Sequence, residues 1–263
     1  MVANLKISKI LWGITEGLAL IVSLGGLLIN GLYENLFQAD YLPGAVAQDL
    51  ITVVLSIGLL GLIFLTKQAD FKKQIIILGV IGSQCYLYGI FTIERVYNLF
   101  YLGYLAIFAL SFWSLVYSLS GFRSKNFQNL RIRSGVRKTT AISSIVIAVL
   151  FNILWILSLL PLMQEHNRIE FLYSIYILDL GFIMPAFLIT AIMALRKQPF
   201  GILMAPAMMI VGFFVIFPLG LNELAKPAYG MAMNTGSMLV SFLFSIFMLV
   251  LAYLQLRYIH LEE

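Results

Sequence analysis

Charge is scarce in this sequence. Only 11% of its 263 residues are Asp, Glu, Lys or Arg, while 61% are hydrophobic. Soluble domains carry about 25% charged and about 45–50% apolar residues. A water-soluble domain is therefore excluded, and so is a disordered chain, which needs little apolar surface and high net charge. The lone cysteine, Cys85, rules out an internal disulfide. The two histidines, His166 and His260, fall in an outer loop and in the tail. That leaves no buried imidazole for a haem, a zinc site or a Ser-His couple. The Gly-x-x-x-x-Gly-Lys-Ser/Thr phosphate loop and the Thr-Val-Gly-Tyr-Gly filter are both missing. No lysine stands mid-span to hold a retinal, and no ladder of arginines marks a voltage sensor. No cofactor and no metal site are expected.

What the sequence has is long apolar runs, at 10–33, 44–66, 74–93, 98–120, 139–162, 172–195, 201–221 and 235–256. Each is long enough to cross a hydrocarbon core of about 30 Å at about 1.5 Å per helical residue. In lipid every backbone polar group must find its partner within the segment, so continuous runs of this kind predict helices. The alternation of barrel strands is absent. The expected fold is an all-α polytopic membrane protein of about eight transmembrane helices, forming one membrane-embedded domain.

The few cations set the orientation. With the N-terminus inside, the inner side holds Lys6, Lys9, Lys67, Lys72, Lys73, the cluster from Arg123 to Lys138, Arg196, Lys197 and Arg257, which is 14 residues. The outer side holds only Arg95, Arg168 and Lys226. The positive-inside rule then predicts that both ends lie in the cytoplasm. Lys6 and Lys9 resemble the start of a signal peptide, but the following run is too long and lacks a cleavage site, so an uncleaved anchor is expected. The absence of Asn-x-Ser/Thr and the short loops fit a prokaryotic plasma (inner) membrane. The net charge of +5 is concentrated in the Arg123–Lys138 loop. It reads as a topology determinant against anionic headgroups, with the lipid bilayer as partner and no nucleic acid.

A tandem repeat is also suggested. Asp49-Leu50 recurs as Asp179-Leu180 and Lys67-Gln68 as Lys197-Gln198, both at an offset of 130, while Glu94 matches Glu223 at 129. Residues 1–133 and 134–263 would be two four-helix halves inserted in the same sense, as in parallel-repeat transporters.

Ionisable groups within spans cost about 2.5–3.5 kcal/mol each, which makes them functional candidates. Asp49 and Asp179 are expected as central carboxylates in the outer half, binding a cation or carrying protons. Glu94, Arg95 and Glu223 would shape an entrance. Glu16 would be a relay in the inner half. Tyr88, Tyr101 and Tyr176 would supply hydroxyls, since ten of the 13 tyrosines map to the outer half. Spacings of three, four and seven put Glu16, Ser23 and Asn30 on one face, Asp49, Thr52 and Ser56 on another, and Asn234, Ser237, Ser241 and Ser245 on a third. Gly13 and Gly17 predict a close helix contact, and Pro185, Pro206 and Pro218 predict kinks.

The favoured function is a small-solute or cation/proton-coupled transporter with an outward-facing polar pocket, and not an enzyme. Two alternatives remain open: a non-catalytic accessory or sensory protein, and an intramembrane lipid-modifying enzyme.

Overall fold

The structure, a computed structural model, describes residues 1–165, 169 and 172–262. His166 and Arg168, assigned to the outer side by sequence, lie outside the described residues. Among those described, eight segments are long and apolar enough to cross a membrane. The protein is an all-α polytopic membrane protein, with almost no sheet. The end bearing the cation-rich loops is called inner below.

The helices are α1 (Leu5–Leu28), α2 (Leu42–Leu65), α3 (Phe71–Ile93), α4 (Tyr101–Ser120), α5 (Ser134–Gln164), α6 (Tyr173–Leu178), α7 (Met184–Leu195), α8 (Pro199–Ala225) and α9 (Thr235–Tyr258). Pro43 sits in the first turn of α2, where its missing N–H costs nothing. The sixth crossing is α6, a π turn at Asp179–Ile183, and α7. The π turn has a local cause. Pro185 offers no N–H to the Gly181 carbonyl, and bonding shifts to one residue further, Met184 N–H to Asp179 O.

Helix α1 begins five residues earlier than the hydropathy run suggests, because Asn4 caps it. The Asn4 side chain accepts from the backbone N–H groups of Lys6 and Ile7 at 3.0 and 3.3 Å. This shifts Glu16. It stands 11 residues from Leu5 and 12 from Leu28, near the middle of the helix.

Helices α3 and α8 form the centre and pack on each other. Their close approach runs through Gly79 and Gly82: a Cβ on Gly79 would stand 2.8 Å from Ile210, and one on Gly82 would stand 2.9 Å from Val211. The inner half is filled by aliphatic side chains around Trp12, Leu59, Ile63, Ile75, Ile77 and Leu203. The outer half of α1–α4 is filled by aromatic rings instead, chiefly Tyr33, Tyr88, Phe91 and Tyr104. Gly13 and Gly17, expected at a helix contact, meet nothing within 4 Å of an added Cβ. Their surface faces away from the rest of the chain. At the inner end a two-residue strand, β1 (Leu130–Arg131), pairs antiparallel with β2 (His260–Leu261) and ties the tail to the loop before α5.

Candidate functional site

Four positions on α1 organise the polar interior. Glu16, Ala19, Ser23 and Gly26 follow spacings of three, four and three, so they share one face. All four are buried. From Gly26 to Glu16 is ten residues, about 15 Å along the axis.

Asp49 lies at the outer end of this face. It is buried, and its Oδ2 accepts from the Tyr33 hydroxyl at 2.6 Å. Tyr33 in turn receives the Tyr104 hydroxyl at 3.4 Å, and Asn98 donates to Tyr104 at 2.9 Å. Burial, reinforced by the Asp49 carboxylate, pushes the Tyr33 phenol far above the usual tyrosine range, so it stays a donor. Above Asp49 a cavity of about 310 Å³ opens outward, lined by Gly26, Asn30, Tyr33, Glu34 and Tyr229 among others. Half-way down, Ser23 and Tyr88 share a hydrogen bond of 3.0 Å, and the Tyr88 ring stacks on Tyr104 at 5.9 Å.

Glu16 closes the series. It has no exposed surface, and its Oε2 accepts from Ser56 at 2.7 Å and from the Gln84 amide at 3.3 Å. Its Oε1 and the Oε1 of Gln84 are both buried and have no hydrogen-bond donor. Trp12, one turn further in, belongs to the aliphatic plug. The Asp49, Thr52 and Ser56 face expected from spacing is present, and all three are buried. Asn30 lies beyond the helix end and is exposed.

Asp179 is in a different place. Its Oδ2 accepts from the Trp155 indole at 2.7 Å, its Oδ1 has no hydrogen-bond partner, and the Tyr86 hydroxyl lies nearby. Asp49 and Asp179 were expected as one central pair. They occupy separate clusters, because α3 stands between them. Tyr86 and Tyr88 are two residues apart on that helix, which turns them about 200° from each other. One lies near Asp179 and the other serves the α1 face.

The remaining candidates are mostly fasteners. Glu94 Oε1 accepts the Ser174 N–H at 2.8 Å and so sits at the start of α6, where a negative group is favoured. The Tyr173 hydroxyl donates to the Ile93 carbonyl beside it. Glu223 holds Lys226 at 2.6 Å and the Asn234 N–H at 2.9 Å, which clasps the α8–α9 turn. Arg95 is exposed in a left-handed turn. Tyr101 donates to the Thr92 carbonyl at 3.2 Å near the outer surface. Tyr176 packs edge-on against Trp155 at 5.3 Å. Asn234 is the cap of α9, accepting from Ser237 N–H at 3.0 Å; Ser237 is exposed and Ser245 is buried.

No protein-family model matches the chain, and comparisons with curated proteins and with solved structures yield no match. The residues themselves must therefore carry any functional reading. Among them, sequence reasoning missed Tyr33, Gly26, Gln84 as a Glu16 partner, and Trp155. Tyr33 is on a connecting turn and Trp155 on another helix, so no periodicity links either to its carboxylate.

Proposed function

We propose that the chain is a small cation- or proton-coupled membrane transporter, with a polar path through α1–α4 from the outer cavity to Glu16. The observation that carries this is Glu16. A wholly buried carboxyl near the middle of α1, held by two neutral donors and with one oxygen unpaired, needs a proton or cation to offset its charge. Such a group is costly as packing and useful as a relay. Asp49 beneath the outer cavity is the entry carboxyl, and Ser23 and Tyr88 bridge the depth between the two. The aliphatic plug below Trp12 seals the inner side, so the path is open outward.

Neither Glu16, Asp49 nor Asp179 shares a hydrogen-bond partner with another of the three. Paired-acid catalysis, which the enzyme alternative would need, has no support here. The packing also favours the tandem repeat of residues 1–133 and 134–263. Helix α3 meets α8 at the centre, while α2 packs on α8 as α6 packs on α3. Under that reading Asp179, with Trp155 and Tyr86, is the second half's counterpart of Asp49. The uneven cations support both ends lying inside, and the absence of Asn-x-Ser/Thr with the short loops supports a prokaryotic plasma-membrane location.

The test is flux in proteoliposomes loaded with a pH-sensitive dye, under imposed proton or alkali-cation gradients. The native chain should carry flux above protein-free vesicles, and Glu16→Gln and Asp49→Asn should each reduce it to near background. Equal flux in native, Glu16→Gln and Asp49→Asn protein, all folded by circular dichroism, would overturn the assignment.

A further inference from the structure

A second cavity, of about 290 Å³, lies at the inner end, far from the α1 path. Arg131, Arg137 and Lys197 line it together with Gln128 and Ser134, and no acidic residue among the described ones does. Two helices begin there, α5 at Ser134 and α8 at Pro199. Neither has a capping side chain or an acidic residue in its first turn, so their N-terminal partial positive charge is left for another anion.

Arg137 makes the cavity more than a basic surface. It is only 6% exposed. Its Nη1 donates to the carbonyls of Ala194 and Leu195 at 2.7 and 2.9 Å, which anchors the guanidinium to the end of α7. Among the described residues, its Nε and Nη2 have no protein acceptor and no carboxylate stands within ion-pair distance. Arg131 shares its charge with Glu262 at 2.9 Å. Arg137 is thus offset only by the partial negative charge at the end of α7, and the exposed Lys197 has no ion-pair partner among the described residues. The guanidinium donors that Nη1 does not use are left for an anion.

We propose that this inner cavity binds a phosphate group, held by the guanidinium of Arg137, the ammonium of Lys197 and the first-turn N–H groups of α5 and α8. Phosphate suits this set, because a fork of guanidinium donors and free helix N–H groups match its several oxygens. Two sources share that chemistry, an anionic phospholipid headgroup and free phosphate. Depth favours the headgroup. Helix α5 has 31 residues, about 46 Å of helix against a core of about 30 Å, so its first turn reaches the headgroup layer.

The full chain in detergent would be titrated with phosphatidylglycerol and, separately, phosphatidylcholine, with binding read by native mass spectrometry. A third arm would follow its melting temperature against inorganic phosphate. Arg137→Gln also releases the end of α7 and so confounds folding with binding, and Lys197→Gln is the working variant. Lys138→Gln, an exposed position off the cavity, is the control. Phosphatidylglycerol should bind native and Lys138→Gln protein alike and bind Lys197→Gln about tenfold more weakly, the loss expected for one charge-assisted bond. Stabilisation by inorganic phosphate that Lys197→Gln abolishes would assign the same site to a free anion. Equal behaviour of native and Lys197→Gln in every arm would overturn the site, as would equal losses in Lys138→Gln and Lys197→Gln.

Discussion

The Asp49 carboxylate fills the space that a side chain on Gly26 would need. A Cβ built on Gly26 would stand 1.8 Å from Asp49 Oδ2 and 2.8 Å from the Tyr33 hydroxyl. The glycine is what lets a carboxyl from α2 lie flush against α1. Gly26→Ala should therefore displace Asp49, break its bond to Tyr33 and lower stability by about 1–3 kcal/mol, the usual cost of overpacking. Flux should fall with it. Gly13→Ala, on the open side of the same helix, should change neither. Thermal melts of the three proteins in one detergent check this, and an unaltered Gly26→Ala melt would contradict the packing.

Tyr33 tests the same junction without changing its volume. Tyr33→Phe keeps the ring contacts with Phe37 and Phe91 and removes the donor to Asp49 together with the weaker acceptor for the Tyr104 hydroxyl. A hydrogen bond to a carboxylate contributes about 1.5–3 kcal/mol, and a loss of that order is expected at neutral pH.

The alkaline limb of the same comparison has a fixed sign. The phenol of Tyr33 is raised in the folded state by burial first and by Asp49 next. Its neutral form is thus stabilised by folding. That contribution is complete below the ordinary tyrosine pKa of about 10 and is lost as pH rises beyond it. The melting temperature of Tyr33→Phe should fall less steeply above pH ~10 than that of the native chain. Parallel curves would remove Tyr33 from the network.

These residues also mark how far the sequence could be read. The crossings were legible because lipid demands long apolar helices, and a strong hydropathy contrast locates them to within a few residues. Depth was less legible. One cap at Asn4 moved α1 by five residues and set Glu16 near the middle of the helix. The stripe of Asp49, Thr52 and Ser56 was visible because helical spacing is local. Its partners were not, since Tyr33 and Glu16 meet it by tertiary packing that no period encodes. The pairing of Asp49 with Asp179 failed for the same reason. Both are buried acids, but the sequence did not reveal that α3 separates them.

That separation has an energetic consequence. Asp49 is held by Tyr33 and Asp179 by Trp155, with no common partner. The stability changes of Asp49→Asn and Asp179→Asn should add in the double variant to within about 0.3–0.5 kcal/mol. A larger coupling, read from denaturation midpoints, would mean that α3 transmits between the two clusters.

Glu16 gives the sharpest contrast between stability and function. Its Oε1 and that of Gln84 are buried acceptors with no donor. Glu16→Gln keeps a side-chain oxygen that accepts from Ser56 and Gln84 and takes away the charge that the unpaired oxygen would carry. Relief of one unsatisfied buried group amounts to about 1–3 kcal/mol, or a rise in melting temperature of about 2–4 °C per kcal/mol for a chain of this size. Glu16→Gln should thus melt higher than the native protein and yet carry no flux, as expected where a site is kept for activity at the expense of stability. A variant that melts lower would make Glu16 a structural group. Retained flux in a more stable variant would place the relay elsewhere.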